Sequence, residues 1–259
     1  MSKHGWIPNQ HGAWAMLIVP LVSGIVLRSR VGVLELWLIP LAVAVFTGYF
    51  GFNALSLWLK AAPRRRAGYR LPMQVYAITT TVLAAAVMLL GGWRILSWLP
   101  VALPLAALAI WLTARRQDRA VASGFATLAL AIGVGLAVRF PTPAEVFAGW
   151  PAGLPDAAIF VALFCYFFGT VWHVKALIRE RGQRPARLRT LAWHAAMIGL
   201  AALGFVTGWT SVWWIVFFAL TLARTWWLTR PELVGKVKPL QIGLMEITLS
   251  IIALLIVIL

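Results

Sequence analysis

The sequence predicts an all-α, polytopic membrane protein: one domain over residues 1–259, with about nine transmembrane helices in a bundle. Three observations predict it. Hydrophobic residues make up 62% of the chain and charged residues only 12%, and the mean hydropathy is +0.87; a soluble domain carries about 25% charged residues. The apolar residues fall in blocks of about 20, the length that crosses a bilayer core as a helix. The 23 Lys and Arg, against seven Asp and Glu, gather in alternate loops, as the positive-inside rule requires.

The first apolar run, about 13–28, lacks a small-x-small cleavage site before Arg28, so it is read as a retained helix and not a signal peptide. Arg28-Ser29-Arg30 ends it. The second span, about 33–60, is longer than a bilayer needs and must tilt or project. The segment from Pro63 to Pro72 separates it from the third, about 73–93, and Gly91-Gly92 marks the passage to the fourth, about 97–114. Arg115 to Arg119 precede the fifth, about 120–138, and the Pro141 to Pro155 stretch precedes the sixth, about 156–180. Gly182 to Arg189 lead to the seventh, about 190–208. A short break at Gly208-Trp209-Thr210 separates it from the eighth, about 211–229, and Pro231 to Pro239 lead to the ninth, about 242–259.

With nine crossings, 19 cations share the side of the N-terminus and four (Arg28, Arg30, Arg94, Arg139) lie opposite. The N-terminus is therefore expected in the cytoplasm. Trp58, Trp111, Trp226 and Trp227 fall at predicted inner ends, and Trp93, Trp98, Trp150 and Trp209 at outer ends, an interfacial aromatic belt. The lone Cys165 sits in an apolar run; it allows no internal disulfide and reads as inert core.

Two polar stripes interrupt the apolar pattern. In the second span Tyr49, Asn53, Ser56 and Lys60 share one helical face, which leads to Arg64, Arg65, Arg66 and Arg70. In the sixth span Tyr166, Thr170 and His173 form the other, leading to Lys175, Arg179, Glu180, Arg181 and the run from Arg184 to Arg189. One reading is that the stripes bond to neighbouring helices and the cations are topology signals. The other is a cytoplasm-facing cavity whose mouth binds an anion, because intramembrane polar residues face the bundle interior and arginine suits phosphate. His194 joins His173 near the cytoplasmic ends, and Arg224 and Glu246, on consecutive spans, are placed to pair. His11 precedes the first span; a histidine there is either a hydrogen-bonded structural residue or part of the site. Asp118 is expected to pair locally with its arginine neighbours.

Other chemistries lack residues. Four dispersed histidines and one cysteine make no zinc site, no phosphate-binding glycine loop or dinucleotide fingerprint occurs, and no carboxylate pair is present to hold magnesium. No metal or cofactor is expected. The cations lie in short loops beside apolar blocks, so an anionic lipid or phosphate ligand at the bilayer fits them better than nucleic acid.

Trp6-Ile7-Pro8-Asn9-Gln10-His11-Gly12-Ala13-Trp14-Ala15-Met16 resembles the opening of the YwiC-like family of bacterial membrane proteins, as do Val174 to Gly182 and Gly243 to Ile247 further on. The resemblance covers essentially the whole chain and implies the bacterial inner membrane. More distantly, the chain resembles the UbiA superfamily of intramembrane prenyltransferases, whose nine helices carry motifs in the cytoplasmic loops after helices two and six. Asn53 with Arg64 to Arg66 and Arg70-Leu71-Pro72 looks like the first motif without its acids. Arg179 to Gly182 with Leu188 to Leu191 looks like the second, with Glu180 alone. That resemblance implies a prenyl phosphate ligand, with arginine in place of magnesium; joined to the polar stripes and basic loops it gives a candidate site of Asn53, Lys60, Arg64, Arg65, Arg66, Arg70, His173, Lys175, Arg179, Arg181, Arg189 and His11. Three function classes follow: a lipid-phosphate binder with metal-independent transfer as one activity, a non-catalytic lipid or anion transporter, and an accessory factor docking an unidentified protein partner.

Overall fold

A computed structural model describes residues 5–8, 11–148 and 153–259, with His11 and Gly12 described by backbone alone. The described residues contain helices and no strand. They run α1 His11–Ser29, α2 Leu38–Lys60, α3 Pro63–Leu89, α4 Leu99–Ala114, α5 Val121–Arg139, the short α6 Pro143–Ala148, α7 Leu154–Ile178, α8 Arg184–Val206, α9 Val212–Leu228 and α10 Pro239–Ile258. A 3₁₀ segment, Gly92–Trp98, runs directly into α4. Seven helical stretches are long and apolar enough to cross a membrane, counting Gly92–Ala114 as one; Ala13–Ser29 and Val212–Leu228 are shorter apolar helices. The chain is thus an all-helical, multi-pass membrane protein.

The expected third helix differs most. It begins at Pro63, not near 73, so Arg64, Arg65, Arg66 and Arg70 ride its first two turns instead of a loop. Proline at the first helical position costs nothing, because its missing N–H would be unpaired there anyway. Pro72 lies inside the helix, where neighbouring groups in a membrane bundle re-satisfy the freed carbonyl.

Contacts between connections define two ends. At one, Lys60 Nζ donates to Asp118 at 3.0 Å, and Lys175 pairs with Glu180. Asp118 therefore reaches across to α2 instead of pairing with its own arginines. At the other, Arg28 pairs with Glu35, Arg94 with Glu145 and Arg139 with Asp156. Arg30 there donates to the last carbonyls of α10, Val257 and Ile258, where a cation also meets the negative end of the helix dipole. All four cations of this neutral end are thus matched. The opposite, basic end is not: Asp118, Glu180, Glu232 and the buried Glu246 face many more Lys and Arg.

Packing follows small residues and aromatics. α1 and α5 approach so closely at Gly24 and Gly135 that a Cβ on either would overlap the other helix's backbone, the small-residue contact that lets membrane helices pack by dispersion. The main core lies among α1, α5, α7, α8, α9 and α10, with Phe160, Leu163, Phe167, Trp214, Phe217 and Phe218 all but fully buried. α2 and α3 pack chiefly on each other. Five tryptophans toward the basic end carry arginines on their faces: Arg66 on Trp58, Arg115 on Trp111, Arg189 on Trp172, and Arg230 on both Trp226 and Trp227 at 3.8 and 4.4 Å. Trp150 lies outside the described residues.

Candidate functional site

The last four long helices hold the polar interior. Arg224 of α9 and Glu246 of α10 form an ion pair whose side chains are only 4% and 9% exposed. The second carboxylate oxygen of Glu246 accepts from Thr170 Oγ1 at 3.0 Å and, more distantly, from the Tyr166 hydroxyl. Tyr166 also meets the Glu246 carbonyl and Ser250. Arg224 Nη2 donates to His194 Nε2 at 3.3 Å. That nitrogen therefore accepts, so the proton of a neutral ring sits on Nδ1 and is donated to the Thr190 carbonyl at 2.7 Å. His173 lies beside it, ring centroids 6.3 Å apart, fully buried with neither ring nitrogen bonded to a described residue. Gly169 makes room: a Cβ there would collide with Trp193 and crowd His194 Nε2. The Tyr166, Thr170, His173 stripe is thus assembled into a buried network with His194, Arg224 and Glu246.

One turn from this network, at the basic end, lies a cavity of about 770 Å³. Its rim and walls carry Arg181, Arg184, Arg187 and Glu180, and its apolar surfaces include Leu191, Trp226 and Val234. Gly182 and Gly235, both at positive φ (76° and 80°), turn the two connections that meet there. A Cβ on Gly182 would come into contact with Val234, and one on Gly235 with Arg181. Such a chamber presents charge-assisted donors to an anion and an apolar wall to a hydrocarbon chain.

The expected site residues divide. Arg181 lines the cavity. Lys175 and Arg189 stand at its edge but are spent on Glu180, whose carboxyl Lys175 holds below its ordinary pKa, with Arg189 adding to the effect. Arg179 is exposed, and Arg64, Arg65 and Arg70 are exposed on α3, away from the cavity lining. Lys60 is paired with Asp118, Arg66 covers Trp58, and Asn53 is half-buried on α2. The two basic segments therefore do not line one cavity. The side chain of His11 lies outside the described residues. Among those residues, no three His, Cys, Asp or Glu side chains gather as metal ligands. The wall from the α9–α10 connection was not expected from sequence; its only local signal is Gly235 set among Lys236 and Lys238.

The model of the YwiC-like protein family matches residues 7–139. The chain is 28% identical over 245 residues to the uncharacterized protein YwiC of Bacillus subtilis (strain 168), covering 93% of this chain and 92% of that one. No solved structure matches the chain.

Proposed function

We propose that this chain, which belongs to the YwiC-like protein family, binds a phosphorylated lipid, isoprenoid or diacyl, in the cavity at its basic end. The observation that carries the reading is the pairing of Arg181, Arg184 and Arg187 with an apolar wall around a chamber of about 770 Å³, within the range of ligand pockets. Those arginines hold the phosphate, and the hydrocarbon chain lies along Leu191 and Trp226 toward the bilayer. The chamber supplies positive charge without a metal, so transfer of the bound group, if it follows, proceeds by arginine stabilisation of the leaving phosphate. The basic end is read as cytoplasmic from the excess of cations. The seven long helices and the shorter α1 and α9 are all read as crossing the inner membrane.

A second reading, a carrier for the lipid or a small anion, is favoured by the Arg224–Glu246 pair, because charges inside membrane helices mark substrate and ion paths. The two readings separate in one pair of measurements. Native mass spectrometry of protein extracted from membranes identifies the retained lipid. Binding of a short prenyl phosphate and of a short-chain diacyl phospholipid is then compared in wild type and in Arg184→Gln and Arg187→Gln. Loss of binding in those variants, with none in Arg94→Gln at the neutral end, is the expected result. Equal losses at both ends, or transport in liposomes without a retained lipid, overturns the located site.

A further inference from the structure

Eleven buried side-chain N or O atoms have no hydrogen-bond partner among the described residues, and seven of them lie on α7, α8 and α9 toward the basic end. They are both ring nitrogens of His173, Nε of Arg187, Arg189 and Arg224, and the hydroxyls of Thr190 and Thr225. Along their helices they sit within four positions of residues that line the cavity, Ala176, Arg187, Leu191 and Leu228, and Arg187 is itself one of these. An unpartnered buried polar atom costs about 1–3 kcal/mol, so such groups behind a cavity form a polar floor that gains from any partner reaching it from the cavity side. Toward the neutral end the same network is capped by Phe160, Phe167, Trp214, Phe217 and Phe218, each no more than 2% exposed. The polar floor is accordingly approached from the basic end.

We propose that His173 is a proton-binding site of this floor, and that it takes up its proton together with the anion bound in the cavity. This rests on the anion-binding reading above. The charges facing His173 explain the coupling. From α9 comes Arg224, matched by Glu246 of α10; from α8 come His194, bonded to Arg224 and the Thr190 carbonyl, and Arg189; on α7 itself are Tyr166 and Lys175. Arg189 and Lys175 share Glu180, and Arg181, Arg184 and Arg187 surround the chamber without further acids. Both carboxylates near the ring are therefore already committed, so a proton on His173 adds an unmatched charge. An anion a turn away supplies the missing counter-charge. By linkage, the proton then strengthens anion binding as much as the anion strengthens proton binding.

The test is calorimetric titration of the full chain in detergent between pH 5.5 and 8.0. The probe is dioctanoyl phosphatidylglycerol, a phosphodiester with no titrating group in that range. Affinity is expected to fall with rising pH by up to about tenfold per unit, the limit for one linked proton. His173→Asn is expected to bind with the weaker, high-pH affinity throughout, with the slope gone. A structural role for the ring would instead lower affinity at every pH and leave the slope. Because a variant can fail to fold, protons are also counted on the unaltered protein, from the binding enthalpy in two buffers of different ionisation enthalpy. A flat pH profile, a slope retained in His173→Asn, or no proton uptake overturns the proton site while leaving the cavity intact. Absence of binding at every pH overturns the cavity reading, and the proton site falls with it.

Discussion

Glu246→Gln should be among the most damaging single substitutions outside the apolar core. The carboxylate takes an ion pair from Arg224 and a hydrogen bond from Thr170, with Tyr166 close by, and its side chain is 9% exposed. Glutamine keeps the shape but removes the charge, leaving the Arg224 guanidinium buried and unmatched, and its amide N–H₂ cannot accept from Thr170 or Arg224. Breaking a buried pair from one side costs about 3–5 kcal/mol, which for a chain of this size lowers the unfolding midpoint by roughly 6–20 °C. Replacing both partners, Arg224→Met with Glu246→Met, removes both charges and should recover most of that loss, because a well-packed apolar pair often equals a buried ion pair. His194 would still lose the donor to its Nε2, so full recovery is not expected. Thermal unfolding in detergent, followed by intrinsic tryptophan fluorescence, reads all three proteins. A double variant no more stable than the single one would refute the argument, as would a single loss below about 1 kcal/mol.

At the α1–α5 crossing, Gly135→Ala should cost about 1–3 kcal/mol, because the added methyl meets the Pro20 backbone and a flexible side chain cannot move aside for it. Gly133→Ala, two residues away in open space, should be neutral or gain up to about 1 kcal/mol in the same melting assay. Glu180 has a depressed pKa, so its hold on Lys175 and Arg189 is present above the ordinary carboxylate pKa of about 4.3 and lost as pH falls through the lower folded value. Hydrogen exchange over residues 175–189 should accordingly rise in acid, and Glu180→Gln should show the same rise at pH 7. Nine crossings place a C-terminal alkaline phosphatase fusion outside and active, whereas an active C-terminal fluorescent protein in the cytoplasm would reduce the count by one. Lipid-phosphate binding should survive a chelator; collapse with chelator, reproduced by Glu180→Gln, would show that a metal takes part.

The helices were legible because membrane spans are written in long apolar blocks, and their order needed no knowledge of packing. Their ends were less so. Pro63 and Pro72 read alike as breakers, yet one starts α3 and the other lies within it, because a proline's effect depends on which carbonyl it deprives. The second polar stripe was legible since Tyr166, Thr170 and His173 lie at helical spacing on one face, and its partners Arg224 and Glu246 are charges with nowhere to go in a bilayer except toward each other. The cavity wall was not legible. It forms where two connections distant in sequence meet through turns at Gly182 and Gly235, and no local pattern encodes a meeting between connections.

The cations at the basic end differ in what they touch, and of the expected site residues only Arg181 is among those that line the cavity. A topology signal needs only to face water, and Arg64, Arg65 and Arg70 are exposed on the first turns of α3. They even sit at a helix N-terminus, where the dipole opposes positive charge, which suits residues placed for orientation and not for stability. Lys60, Lys175 and Arg189 are neutralised by Asp118 and Glu180, so they fasten connections together. Arg66 and Arg230 lie on tryptophan faces at the interface. Arg181, Arg184 and Arg187 differ from all of these in lining the cavity, Arg181 and Arg184 from its exposed rim and Arg187 half-buried, with Glu180 the one acid among the lining residues. On the reading proposed above, the excess of charge over partners around a cavity, more than the excess along the sequence, marks the binding site, between α8 and the α9–α10 connection.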